Sequence, residues 1–107
     1  NISVQGDGLV VLNAQNVTDQ VTVTFSNNGA YYAVEYDGSP AKEMNYSQEI
    51  VRSNRNILIK NKHTRSAYEF VEWNTRRDGT GKRYTDGDVI NVDESLTLYA
   101  QWKVISN

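Results

Sequence analysis

The 107-residue sequence contains no cysteine. Disulfide staples, thiolate metal sites and a cysteine nucleophile are therefore all excluded. There is one proline, and no Pro- or Ser-rich stretch that would read as a linker. Apolar runs such as Leu9–Leu12 are far shorter than a helix needs to span a bilayer, so membrane insertion is not expected. No secretory signal is present, and a chain beginning at Asn1 reads as a mature fragment or an excised piece. What remains is 38% hydrophobic and 22% charged, the composition of a foldable globular chain. The length suits one domain, of the all-β or α+β kind.

Charge is unevenly distributed. The formal net charge is −2, but nine bases lie between Arg52 and Arg83 (Arg52, Arg55, Lys60, Lys62, Arg65, Arg76, Arg77, Lys82, Arg83) against three acids, a local net of +6. The remainder carries two bases and ten acids, a net of −8. A small domain with this separation has a dipolar field that steers partners.

Strand signals dominate the pattern. Val21, Val23 and Phe25 alternate with Thr22 and Thr24, Asn28-Gly29 follows as a turn, and Tyr32, Val34 and Tyr36 share a face after it. These segments predict a hairpin of Val21–Phe25 with Tyr31–Tyr36. Ser39 as cap and Pro40 at the first turn predict a short helix over Ala41–Met44, with an irregular connection as the alternative. Ile57–Ile59 predicts a central strand, Tyr68–Trp73 and Val89–Val92 further strands, and Leu96–Trp102 a longer one. Residues 1–20 differ in texture and read as an N-terminal extension, edge strand or linker, leaving 21–103 as the domain and 104–107 as a tail.

The C-terminal third carries a resemblance. Thr64-Arg65-Ser66-Ala67-Tyr68-Glu69-Phe70-Val71-Glu72-Trp73-Asn74-Thr75, then Asp78-Gly79-Thr80-Gly81, Tyr84, Gly87-Asp88 and Leu96-Thr97-Leu98-Tyr99-Ala100-Gln101-Trp102, resembles the signature of the Listeria–Bacteroides repeat in register. Val21–Gly29 is similar to the opening strand and turn of that family. Ala67 and Glu72 stand where the family has glycines, and Ala30 where a second glycine often follows the Asn-Gly pair. The resemblance implies a ubiquitin-like β-grasp-type domain, α+β or mostly β, with a mixed sheet and at most one short helix. It further implies a non-catalytic unit of a larger, exported bacterial surface or cell-wall protein, acting as a spacer or as an adhesive, protein-binding module on a host or bacterial surface. No cofactor is implied.

Candidate sites divide into sharp and plain readings. Trp73 and Trp102 read as core residues with their indole N–H groups satisfied. Tyr31 and Tyr99 fall out of phase with their apolar neighbours and are candidate exposed contacts. His63 lacks the nucleophile and orienting acid a catalytic histidine needs, and reads as a residue of a solvated loop. Asp78, Asp86 and Asp88 do not have calcium-loop spacing and read as turn formers. Glu69 and Glu72, three apart in a strand, should lie on opposite faces and share no cleft. The nine bases offer a second function, binding of a glycan or polyanion. Nucleic acid is not expected, since no recognition helix or aromatic RNA-binding signature is present. Self-association through a sheet edge, near Val21–Phe25 or Leu96–Trp102, is a further expectation.

Overall fold

A computed structural model describes residues 19–105, so the expectation for 1–20 lies almost wholly outside the described residues. Among the described residues seven strands form: β1 (Gln20–Ser26), β2 (Asn45–Val51), β3 (Asn56–Ile57), β4 (Tyr68–Asn74), β5 (Arg83–Tyr84), β6 (Val89–Ile90) and β7 (Leu96–Val104). Five of them make a mixed sheet in the order β2-β1-β7-β4-β5, and β3 pairs with β6 in a small second sheet. β1 runs antiparallel to β2 and parallel to β7, with Val23 opposite Leu96 and Ser26 opposite Tyr99. First and last strands thus lie side by side in the middle of the sheet, as a β-grasp arrangement requires. There is no α-helix among the described residues.

Alternation builds the core. Val21, Val23 and Phe25 of β1 face the same way as Ile50 of β2, Leu98 and Ala100 of β7 and Trp73 of β4, and all are buried. The crossover from β2 to β4 lies over this face. It delivers Leu58, buried to 1% exposure, beside Ile90, so an irregular segment covers the sheet where a helix would otherwise do so. Gln48 points inward from β2 and ties that segment down: its amide donates to the Ile57 carbonyl (2.8 Å) and accepts from the Ile59 N–H (3.0 Å). A polar residue at an inward position is tolerated because both ends of its amide are satisfied.

Three local expectations are corrected. The partner of β1 is Asn45–Val51, not Tyr31–Tyr36, which forms a flap with only a Val34–Pro40 bridge. Asn28 takes the left-handed conformation (φ 66°), and Gly29 is needed next to it because a Cβ there would stand 2.5 Å from the Lys42 carbonyl oxygen. That turn therefore launches the flap rather than closing a tight hairpin. Ala41–Met44 is not helical but an irregular connection, the alternative reading of that segment. Ile57 belongs to the two-stranded sheet and is exposed, while Leu58 and Ile59 follow the strand.

A β-bulge between Phe70 and Glu72 sets the geometry of the signature segment. Phe70 and Trp73 are three apart, which in a regular strand would send them to opposite faces. The extra residue restores the phase, and both rings pack on the core 4.9 Å apart. The same bulge overturns the expectation for the glutamates. Glu69 is paired with Lys103 and Glu72 with Gln101, two residues apart on β7, so both carboxylates lie on the outer face.

Candidate interaction surface

The flap between β1 and β2 is fastened by side chains rather than by a ladder. Arg65, at the turn entering β4, is the main fastener. Its guanidinium lies 3.9 Å from the Tyr32 ring centroid and 4.2 Å from that of Tyr68, and its Nε is 2.5 Å from Glu35 Oε1. Tyr31 meets Tyr32 edge-on, and Tyr36 meets Tyr68 likewise. A planar cation between two rings, paired with a carboxylate, uses stacking and charge together.

Tyr32 has a second role. β1 covers β7 only as far as Tyr99, which leaves the next backbone groups of β7 facing an empty lane. The Tyr32 hydroxyl accepts from the Trp102 N–H (3.2 Å) and lies 3.5 Å from its carbonyl. Asn28 Nδ2 donates to the Ala100 carbonyl (3.1 Å). Side chains thus finish the ladder where the strand stops. Burial outweighs these contacts and raises the Tyr32 phenol above its ordinary pKa.

A second fastener joins the flap to the β4–β5 turn. Glu43 accepts from the Ser26 hydroxyl (2.5 Å), the Ala30 N–H (2.8 Å) and Arg77 through both terminal nitrogens (3.2 and 3.3 Å). Burial raises the Glu43 carboxyl, but the hydrogen bonds from Arg77, Ser26 and Ala30 together outweigh it and hold the pKa below the ordinary value. Arg77 also lies 4.6 Å from the Tyr99 ring centroid. Asn74, fully buried at the end of β4, accepts from the N–H groups of Arg76 (2.9 Å) and Gly81 (2.8 Å), which shapes the turn that carries Arg76 and Arg77.

Tyr31, Arg76, Arg77 and Tyr99 line one open depression of about 380 Å3, together with Thr75 and Asp78. Four candidate contact residues from distant parts of the sequence therefore meet. Tyr31 is half exposed (51%), and Tyr99 is partly buried under Arg77. The other bases are spread over different elements. Arg52 and Arg55 occupy the exposed β2–β3 turn, and Lys60 and Lys62 the crossover, with Lys62 5.5 Å from the Tyr46 ring centroid. Lys82 lies 5.3 Å from that of Tyr84. Arg65, Arg77 and Arg83 are each paired with a glutamate, Arg83 with Glu72. Glu35, Glu43, Tyr32 and Asn28 were not among the residues singled out from sequence. Their signal there is only the tyrosine density and the Asn-Gly pair.

The remaining singled-out residues have structural roles. His63 is half-buried rather than loop-solvated: its Nε2 lies 3.0 Å from the Phe25 carbonyl and its ring 4.7 Å from that of Tyr46. Asp78 accepts from Thr80, Asp88 from the Thr85 and Val89 N–H groups, and Asp86 from the Asn61 N–H. Hydrogen bonds from the Thr80 hydroxyl and N–H hold the Asp78 carboxyl below its ordinary pKa. No three His, Asp or Glu side chains converge on a metal-sized site among the described residues. Trp102 donates its indole N–H to the Asn27 carbonyl (2.8 Å), as expected, whereas the buried Trp73 N–H has no partner among the described residues, against the expectation that both are satisfied.

Relatives give this arrangement a context. The chain is 37% identical over 75 residues (66% of this chain) to a "Putative membrane protein" of Evansella cellulosilytica. It is 32% identical over an alignment of 108 positions (97% of this chain) to a "Putative Gly-rich membrane protein" of the same organism. It spans only 11% of the length of either. No solved structure matches it. Residues 21–101 match the profile of the Listeria-Bacteroides repeat domain, and the chain belongs to that family.

Proposed function

We propose that this domain is a non-catalytic unit of a bacterial surface protein, serving as a spacer and as a protein-contact module. One observation carries the reading: this repeat-family chain aligns with about a tenth of each long relative, and both relatives are described as membrane proteins. The cross-linked flap supports it, since side-chain fasteners at both ends order the outer surface of a small domain without disulfides. The test is replacement within the parent protein on intact cells. An antibody against residues 19–105 labels unpermeabilised cells. A length-matched unrelated domain then restores a spacer role but fails to restore a contact role. Absence of labelling on intact cells overturns the reading.

A second reading, binding of an anionic glycan, is favoured by the meeting of Tyr31, Arg76, Arg77 and Tyr99 in one depression. A sugar ring stacks on a tyrosine face while guanidinium groups take its carboxylate or sulfate. Arg77 is also engaged with Glu43, so the cleaner variants are Arg76→Ala and Tyr31→Ala. On a heparin column both should elute at lower salt than the parent chain. Unchanged elution removes this reading.

A further inference from the structure

The sheet has two outer strands, and they are guarded differently. On the β4 side, β5 covers Trp73 and Asn74, the bulge bends the strand, and the Tyr68 N–H is closed on the Arg65 carbonyl (3.1 Å). The segments expected to be edges, Val21–Phe25 and Leu96–Trp102, belong to central strands, and the open half of β7 is capped by Asn28 and Tyr32.

β2 has no such guard. The Asn27 N–H bonds to the Met44 carbonyl (3.0 Å) and the Arg52 N–H to the Asp19 carbonyl (2.6 Å), which fixes the phase of the antiparallel ladder. Residues 44, 46, 48, 50 and 52 turn their backbone groups toward β1, and Asn45, Ser47, Glu49 and Val51 turn theirs outward. Val51 is closed, because Asn56 donates to its carbonyl (2.9 Å) and accepts from its N–H (3.2 Å). The outward N–H and C=O groups of Asn45, Ser47 and Glu49 have no protein partner among the described residues. The strand carries no proline or bulge, and its one charged side chain, Glu49, accepts from the Thr22 hydroxyl (2.8 Å) on the neighbouring strand.

We propose that two copies of the chain pair through this edge, β2 antiparallel to β2, about a two-fold axis beside Ser47. That register places Ser47 opposite Ser47 and Asn45 opposite Glu49, so every open backbone group is used. An amide donor faces a carboxylate, and no like charges are opposed. An axis beside Glu49 would set two carboxylates opposite each other and call on Val51, already closed by Asn56. An axis beside Asn45 would leave Glu49 unpaired. The open edge is therefore complementary to itself in one register, which selects a second copy as its occupant. The contact is small, so single domains associate weakly. Crowding on a surface, or tethering within one assembly, raises the effective concentration enough to populate it. The pairing does not depend on the spacer or glycan readings.

Amide NMR spectra of the 107-residue chain from 0.05 to 2 mM, with sedimentation equilibrium alongside, test it. Shifts that grow with concentration are expected at Asn45, Ser47 and Glu49. Ser47→Pro removes only an outward N–H, so it should keep the fold and abolish association. Should Ser47→Pro disturb folding, the pair Asn45→Lys and Asn45→Glu replaces it. Lysine faces Glu49 and should tighten association about threefold, and glutamate should weaken it about threefold. A monomer at every concentration, shifts confined to another surface, or the same response from both Asn45 variants overturns the proposal.

Discussion

Phe25, Tyr46, Phe70 and Trp73 pack under the crossover on the covered face of the sheet, whereas Tyr32 and Tyr68 flank one guanidinium at its end, with Tyr31 and Tyr36 edge-on against them. Both clusters are aromatic, but different forces hold them. The inner one gains from removing apolar surface from water, an effect without direction and nearly indifferent to pH. The outer one depends on the position of a charge over two rings and on its pairing with Glu35. The inner cluster should therefore fail only with the whole domain, and the outer one should open by itself. A small cysteine-free domain can thus have a fixed centre and a separately adjustable surface.

The largest effect is expected at the inner cluster. Trp73→Ala should cost about 3–5 kcal/mol in denaturant unfolding, with all probes moving together. Trp73→Phe should cost less than half of that, since it keeps most of the apolar volume and discards a buried donor with no partner among the described residues. At the outer cluster, Arg65→Ala should cost about 2 kcal/mol, and Arg65→Lys should recover little because an ammonium group cannot stack flat between two rings. Amide exchange tells the two apart. The flap N–H of Ala41 should lose about 30-fold of its protection in Arg65→Ala, and Val23 far less. Equal losses at both positions would merge the clusters into one cooperative unit.

A smaller effect, of opposite sign, is expected at Ala67. This residue holds φ at 68°, a conformation that costs an L-residue about 1–2 kcal/mol, in the turn closed by Tyr68 and Arg65. Ala67→Gly should therefore stabilise the domain by about 0.5–1 kcal/mol in thermal or denaturant melts, after the added chain entropy is deducted. The smallest effect is on acidification. Glu43 has a lowered pKa when folded, so its contribution is complete above the ordinary carboxylate range and is lost as pH falls through the folded value. As pH falls below the ordinary carboxylate range, exchange at the Ala30 N–H, corrected for its intrinsic rate, should quicken while that at Val23 holds. Parallel changes at the two amides would count against separate fastening.

What the sequence made legible follows the same division. The signature from Tyr68 to Trp102 marked out β4 and β7, and the Asp-Gly pairs fall at turns where Gly38, Gly79 and Gly87 have positive φ. Such signals are local, so one chain suffices to read them. The first half was misread because its patterns were borrowed for other ends. Alternating tyrosines at 32 and 36 mimic a strand face, yet they serve the Arg65 cluster. The true partner of β1 was hidden by Gln48, a polar residue at an inward position that is satisfied only by a crossover arriving from elsewhere in the chain. The bulge was equally invisible, although Phe70 and Trp73, three apart and both large, are its trace in hindsight. The contact candidates fared likewise. Spacing alone could name Tyr31, Tyr99, Arg76 and Arg77 one by one, but only the folded turns bring them to one depression.

The parallel contact of β1 with β7 has a mechanical consequence. The chain enters the sheet at one end of β1 and leaves it at the opposite end of β7, so tension along the polypeptide pulls these neighbours past each other. Their hydrogen bonds, between Val23–Ser26 and Leu96–Tyr99, are then loaded in shear and must give way together rather than one at a time. The Asn28 and Tyr32 contacts to Ala100 and Trp102 extend the same seam beyond the last backbone pair. Under stretching, this seam is the element that must yield first for the domain to lengthen.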